Sequence, residues 1–457
     1  MPPRGLTTTT PDAKACISSS RSELFRNNCD GTFTRVTDEA GVGYWGYPVK
    51  ATWADFNRDG CLDIYVGVYF RPEHNLWNLD TTRIMHNDFE RARNAGRNLL
   101  YQSNCDGTFT EVAAALGVDD PGWTLATAAV DLNGDGWPDL FNANDFGPDG
   151  LFLNEQGKGF RRVVQRTGIG DDTHKGMNVD FGDVFNDGRM ALYISNISKP
   201  RYILEGNALW VQEPNGEWRD RAPELKVANC GFSWGATFVD VDNSGRLDIF
   251  VMNGFFDGNR KQDWWYELGT LATTPGVVIE DAANWPPIGD KSLSAGEAKC
   301  LFLQAEDGTF TDVAKAAGVD ATYIGRGVAA VDLFNRGLLD LVLANQGDPL
   351  QVFRNETDNG NGWLKLKLVG RPPSNRDAIG ARVKVVFGDK SIELERGGGS
   401  SHGGQNDPRL HVGLGSAAKA DRIEIRWPSG RFQVLTDVAA GQILVVEEPD
   451  TPVPPLK

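Results

Sequence analysis

Fifteen positions in three stretches of the chain have the residue types and spacing to hold a hard cation. In TWADFNRDGCLDIYVG, residues 52–67, Asp55, Asn57 and Asp59 alternate so that three oxygen-bearing side chains converge. Gly60 permits a sharp reversal, the carbonyl of Cys61 turns inward, and Asp63 closes the cage before an apolar strand. A helical EF-hand would need an acidic residue where Val66 stands, so this is a β-type loop. Asp131, Asn133, Asp135, Trp137 and Asp139 repeat the pattern, and so do Asp240, Asp242, Ser244, Arg246 and Asp248. Two further copies are eroded. Residues 183–191 keep Asp183, Asp187 and Gly188 but carry Phe185 and Ala191 at ligand positions, and residues 332–340 keep Asp332 and Asp340 with Arg336 in the cage. Arginine there replaces an ion with its own charge. Ca2+ is the expected cofactor, in a structural role, because clustered carboxylates repel one another without it.

A second set of residues suggests a binding or catalytic mouth. Trp264, Trp265, Tyr266 and Trp285 could line a pocket for an apolar or sugar-like ligand, with Asp263 or Glu280 as acid or base. The plainer role of such aromatics is to pin an insertion to its scaffold. Arg326 is a further candidate, with an internal salt bridge as its alternative, and His402 in a glycine-rich segment is a candidate general base on a mobile loop. His74, His86 and Asp88, with Glu73, could form a transition-metal site, but nothing fixes their spacing and the favoured reading is exposed polar residues on a loop. There is no catalytic Cys–His signature.

The elements that must position these groups form a repeat. A hairpin such as LFRNNCDGTFTRV, residues 24–36, turns at Asp-Gly and precedes each acidic loop. Phe33 to Asp55, Phe109 to Asp131, Trp218 to Asp240 and Phe310 to Asp332 are each 22 residues apart, and Phe160 to Asp183 is 23. Each copy offers about four short strands, a small sheet that must stack on a neighbour. The expected fold is an all-β propeller of seven blades with calcium loops in the blades. Residues 1–20 read as a flexible segment, 21–356 as propeller repeats with insertions at 69–98 and 254–299, 357–448 as a C-terminal β region that completes the ring, with a separate small β domain as the alternative, and 449–457 as a tail. Both insertions leave directly after a loop strand and should emerge on one side; the second half of the first has helical character.

The net charge of −16 disfavours nucleic acid and anionic membrane as partners, and no apolar run is long enough to span a bilayer. Six cysteines without CxxC spacing leave disulfides open but unassigned, and Asn196-Ile-Ser198 and Asn355-Glu-Thr357 are sequons. Secretion is the expected location, the leader lying outside this sequence.

The repeats LFRNNCDGTFTRVTDEAGV and DFNRDGCLDIYV resemble VCBS/FG-GAP repeats, the units of integrin α-subunit propellers. SNRDAIGARVKV, GGGSSHGGQNDPRLHVGLG and IRWPSG are similar to the ASPIC/UnbV domain. Together they resemble the cartilage acidic protein family, which implies calcium binding and extracellular interaction. Residues 397–407 depart from that pattern in being glycine-rich where a segment ending in Gln-His is expected. The expected function is a secreted calcium-binding propeller that binds an extracellular protein or glycan. The alternative is a biosynthetic, cyclase-like enzyme acting on an apolar small molecule at a mouth covered by 254–299.

Overall fold

The computed structural model describes residues 20–450 apart from 77, 167, 200–202, 256–263, 290, 292, 295 and 400. Four successive four-stranded antiparallel sheets and a fifth of three strands carry the repeats. Each sheet opens on a strand that runs into an acidic turn. These opening strands are Pro48–Ala54, Trp123–Val130, Asn178–Gly182, Ser233–Val239 and Gly325–Val331. The strand leaving the turn is almost wholly buried, as in Asp63–Val68 and Asp248–Asn253, so it reads as a continuous apolar run rather than an alternating one.

Neighbouring sheets bury these faces against each other. Ala54, Phe56, Tyr65 and Leu100 of the first sheet share a core with Ala129, Leu140 and Phe152 of the second. Equivalent cores join the second to the third, the third to the fourth and the fourth to the fifth. Opening strands touch directly: Thr52 donates to the Thr127 carbonyl at 3.0 Å, and Asp180 accepts from Thr237 Oγ1 at 2.8 Å.

This arrangement corrects the expected seven-bladed propeller. Five sheets carry the repeat, and among the described residues no sheet closes into a barrel, solenoid or propeller. The tail strands add no blades. They form two sheets of their own, one with Gly362–Val369 between Leu410–Gly415 and a parallel Gln442–Glu447, the other ordered Lys390–Glu395, Arg382–Phe387, Lys419–Arg426, Phe432–Ala439. Leu364, Leu366, Val383, Val385, Ile423, Ile425 and Trp427 close a separate core between them. A parallel partner for Gly362–Val369 rules out a simple up-and-down continuation of the repeat.

Two further expectations change. The Asp-Gly hairpin pairs with the acidic turn before it rather than after it: Leu99–Ser103 and Phe109–Glu111 extend the sheet of Asp63–Val68. In 69–98 no helix forms among the described residues, whereas the second insertion contains the helix Trp264–Ala272. The insertions do meet, through Met85 N to Glu280 O at 3.0 Å and Ala282 N to Thr82 O at 2.8 Å.

The described residues of the glycine-rich segment 397–407 run as a strap among the opening strands of all five sheets. Trp53 N donates to Gly398 O at 3.2 Å, Ser401 N to Val179 O at 3.1 Å, and His402 Nδ1 to Leu125 O at 3.2 Å. Asn406 Nδ2 reaches Thr237 Oγ1 at 2.8 Å, and Asp407 N reaches Ala330 O at 3.0 Å. A Cβ on Gly398 would stand 1.8 Å from the Trp53 carbonyl oxygen, and one on Gly404 2.2 Å from that of Val328. The glycines are there because backbone approaches backbone.

Candidate metal centre

All five acidic turns share one feature, the N–H of the sixth residue donated to the first aspartate. Positions four and six take positive φ, as at Arg58 (56°) and Gly60 (91°), which aims successive N–H groups at the first aspartate. Asp55 thus accepts from Asp59 N at 3.0 Å and Gly60 N at 2.9 Å. The last aspartate faces two ways: Asp63 accepts from Phe56 N in its own turn at 3.0 Å and from Ser103 N on the next strand at 2.8 Å. Asp139 does the same with Leu132 and Asn154, Asp248 with Val241 and Gln304, and Asp340 with Leu333 and Asn355. The motif therefore organises backbone whether or not an ion is present.

The residues beside those strand ends escaped the sequence reading. Asn154 Nδ2 donates to Phe56 O at 2.9 Å, Gln304 Nε2 to Val184 O at 3.0 Å and Asn355 Nδ2 to Val241 O at 2.7 Å. Each amide ties its sheet to the acidic turn of the preceding one. Their signal was position alone, since an amide falls 15 residues after both Asp139 and Asp340. Both sequons are spent structurally too, because Asn196 is fully buried with its Nδ2 on Gly206 O and Asn355 makes the tie just described.

What distinguishes the turns is how their charge is balanced. In the turn at 131–139, Arg382 and Arg426 of the tail unit lie 3.4 and 3.3 Å from Asp131 Oδ2. In the turn at 332–340, Arg336 pairs with Asp340 at 2.8 Å and the fully buried Lys365 lies 3.4 Å from Asp332. Arg189 pairs with Asp187 in the turn at 183–191. Asn57 and Asn133 donate to Asp59 and Asp135 at 2.8 and 3.0 Å instead of aiming oxygen at a common centre.

Among the described residues, three carboxylates converge in the turn at 240–248, where oxygens of Asp240, Asp242 and Asp248 lie within 4.8 Å of one another. Asp240 and Asp248 are buried, and the buried Ser244 Oγ has no hydrogen-bond partner. Burial pushes Asp248 up to about 7 and Asp240 well above the usual carboxylate range, with Asp248 adding to the shift of Asp240. Arg246 turns its side chain away to Gln304 O at 3.1 Å. The donor set of carboxylates and one hydroxyl suits a hard divalent cation.

The expectation of three calcium cages in a propeller is therefore corrected. Among the described residues Asp55, Asn57, Asp59, Cys61 and Asp63, like Asp131, Asn133, Asp135, Trp137 and Asp139, bring no three carboxylates together: Asn57 and Asn133 give their amides to Asp59 and Asp135, and Asp131 faces two arginines. Cys61 is joined by a disulfide to Cys105, and a second disulfide joins Cys230 to Cys300. Trp137 lies under the Arg58 guanidinium at 5.1 Å.

Most of the residues expected at a mouth have structural partners. Trp264 and Trp265 are buried, Trp264 donating to Pro286 O at 2.8 Å and Trp265 packing on Phe232 and Phe255, so they pin the insertion. Tyr266 is exposed, and Trp285 donates to Ile279 O at 2.9 Å. Glu280 accepts from Asn94 Nδ2 at 3.2 Å and pairs with Arg71. Arg326 stacks 4.2 Å from the Trp234 ring and donates to Gly254 O at 2.7 Å. His402 sits in the strap, and burial lowers its pKa to about 4. Asp263 lies outside the described residues. Arg326 and His402 both border the Trp234 ring, which reaches Trp265, Trp264 and Trp285 through Phe255 in one packed aromatic cluster.

Comparison with known proteins agrees with the sequence motifs. Residues 371–453 match the ASPIC and UnbV family, and residues 14–66, 86–142 and 131–194 match the FG-GAP-like repeat. Cartilage acidic protein 1 of Xenopus tropicalis is 26% identical over 365 residues, covering 78% of this chain and 48% of the relative. The Homo sapiens protein is 28% identical over 323 residues, covering 68% and 41%. The chain thus spans about half the length of these relatives or less. Among solved structures, the V. cholerae biofilm matrix protein Bap1 is similar at 10% identity and a TM-score of 0.29, covering 86% of this chain and 59% of that one. The exotype rhamnogalacturonan lyase YesX is similar at 13% and 0.31, covering 94% and 76%. Scores this low carry no argument about fold or activity. The repeats and the tail together make this chain a member of the ASPIC/UnbV and FG-GAP-repeat proteins.

Proposed function

We propose that this protein is a secreted, disulfide-braced β scaffold in which the turn at 240–248 holds one divalent cation, Ca2+, as a structural clamp between the fourth sheet and the tail unit. The observation that carries the reading is the convergence of the buried Asp240 and Asp248 with the half-buried Asp242, beside an unpartnered Ser244 hydroxyl. The tail is fastened to that turn through Gly415 N to Asn243 O at 2.9 Å and His411 Nε2 to Asn243 Oδ1 at 2.7 Å, so a cation there would stiffen both units. Two disulfides support an oxidising compartment, as does likeness to proteins named for cartilage. No helix among the described residues is long and apolar enough to cross a membrane.

Calorimetric titration of chelator-stripped protein with CaCl2 tests the reading. One site is expected, lost in Asp240→Asn and retained in Asp55→Asn. No saturable binding, or binding that survives Asp240→Asn, overturns it.

A further inference from the structure

The two insertions meet on a histidine. His86 is 1% exposed and lies flat on Phe146, with ring centroids 3.6 Å apart and planes 9° from parallel. Trp285 of the second insertion stands 5.5 Å away, and Trp123 and Phe89 each 6.1 Å away. Neither ring nitrogen has a hydrogen-bond partner. Alongside, the backbone bonds of Met85 to Glu280 and of Ala282 to Thr82 fasten the first insertion to the second.

We infer that His86 is an acid-released latch: while neutral it seats residues 82–89 on the aromatic floor of Trp123, Phe146 and Trp285, and on protonation it expels that segment and uncovers the floor. The surroundings offer a proton no welcome. The buried Lys175 ammonium lies 4.8 Å over Phe89 and 5.8 Å over Phe146, so the cluster already holds one cation. Burial holds the Asp145 carboxyl, which accepts the Tyr69 hydroxyl at 2.7 Å, up to about 7, so it takes up its own proton over the acid interval, and the other nearby carboxylates are committed. Glu205 pairs with Lys175 at 2.7 Å, and Glu280 is bonded to Asn94 and Arg71. Asp88, on the same segment, accepts from Glu90 N and Arg91 N at 2.8 Å. An imidazolium would therefore be buried against a like charge with its two N–H groups unpaired.

Burial first, and Lys175 second, hold the His86 pKa down to about 3. The closed form refuses a proton that the open form accepts near the ordinary histidine value. Closure is complete above that value and weakens as pH falls through it. Between pH 7.5 and 5 the linkage favours opening by about 30-fold.

Hydrogen–deuterium exchange, corrected for the intrinsic pH dependence, reads this directly. Opening of 82–89 is expected to rise by about 30-fold over that interval in the wild type and to stay flat in His86→Phe, whose ring keeps the stack but takes no proton. Its melting temperature at pH 7.5 reports whether the variant folds. Independently of any variant, the wild-type rise must be confined to the joined insertions, with the strand Gly362–Val369 unchanged. A flat profile in the wild type, an equal rise in folded His86→Phe, or a rise spread over the whole chain each overturns the latch.

Discussion

At the residue scale, identity is decided by what a side chain, or its absence, must fit. The Trp53 carbonyl occupies the space a Cβ on Gly398 would need, at 1.8 Å. Gly398→Ala is expected to lower unfolding free energy by about 2–4 kcal/mol, measured by denaturant titration. Gly31→Ala, with nothing within 4 Å of its Cβ, carries only the left-handed strain of its φ of 86°, about 1 kcal/mol. His402 illustrates the same point for chemistry: its Nδ1–H donates to Leu125 O and burial lowers its pKa to about 4. Its NMR signals are expected to show no titration between pH 7.5 and 5. A midpoint near 6.5 would put the imidazole in solvent, where the sequence placed it.

At the scale of elements, the acidic turn and the tail unit are interlocked. Arg58 donates to Pro428 O at 2.9 Å, Asp131 N to Glu395 Oε1 at 3.1 Å, Arg382 to Gly188 O at 3.2 Å, and Arg409 to Asp332 O at 3.3 Å. With Asn243 bonded to Gly415, every one of the five turns touches the tail. Lys365 is the deepest of these links, fully buried and 2.6 Å from Asp407. Lys365→Met leaves Asp332 and Asp407 short of a buried cation and is expected to cost about 3–5 kcal/mol. Lys390→Met, at an exposed strand end, is expected to change stability by less than about 0.5 kcal/mol in the same denaturant titration.

For the whole molecule, the strap and the five turn contacts join the repeat sheets to the tail unit. Calorimetry is expected to show a single unfolding transition; two resolved transitions would mean the tail unfolds by itself. The disulfide Cys230–Cys300 closes a separation of 70 residues between the start of the fourth sheet and its third strand. Replacing both cysteines by serine is expected to lower stability by about 4 kcal/mol, read from the denaturation midpoint.

Local physics determined much of this protein from the sequence. A glycine at a reversal, aspartates at fixed offsets and an apolar run after them need only a few neighbouring residues to specify a turn and a buried strand, so the five turns, the short strands and the family were legible. Arg336 was likewise readable as the cation of its own turn, and its pair with Asp340 lies within that turn. The tertiary structure decided what depends on distant partners. Whether Asp131 faces an ion or an arginine is set by Arg382 and Arg426, some 250 and 295 residues along the chain. Whether seven alternating strands extend a repeat or form a second core is set by which edges pair, and a period-two pattern is the same in both cases. The glycines of 397–407 looked mobile because flexibility is a property of the isolated chain; in the folded protein the absent side chains admit five neighbouring strands.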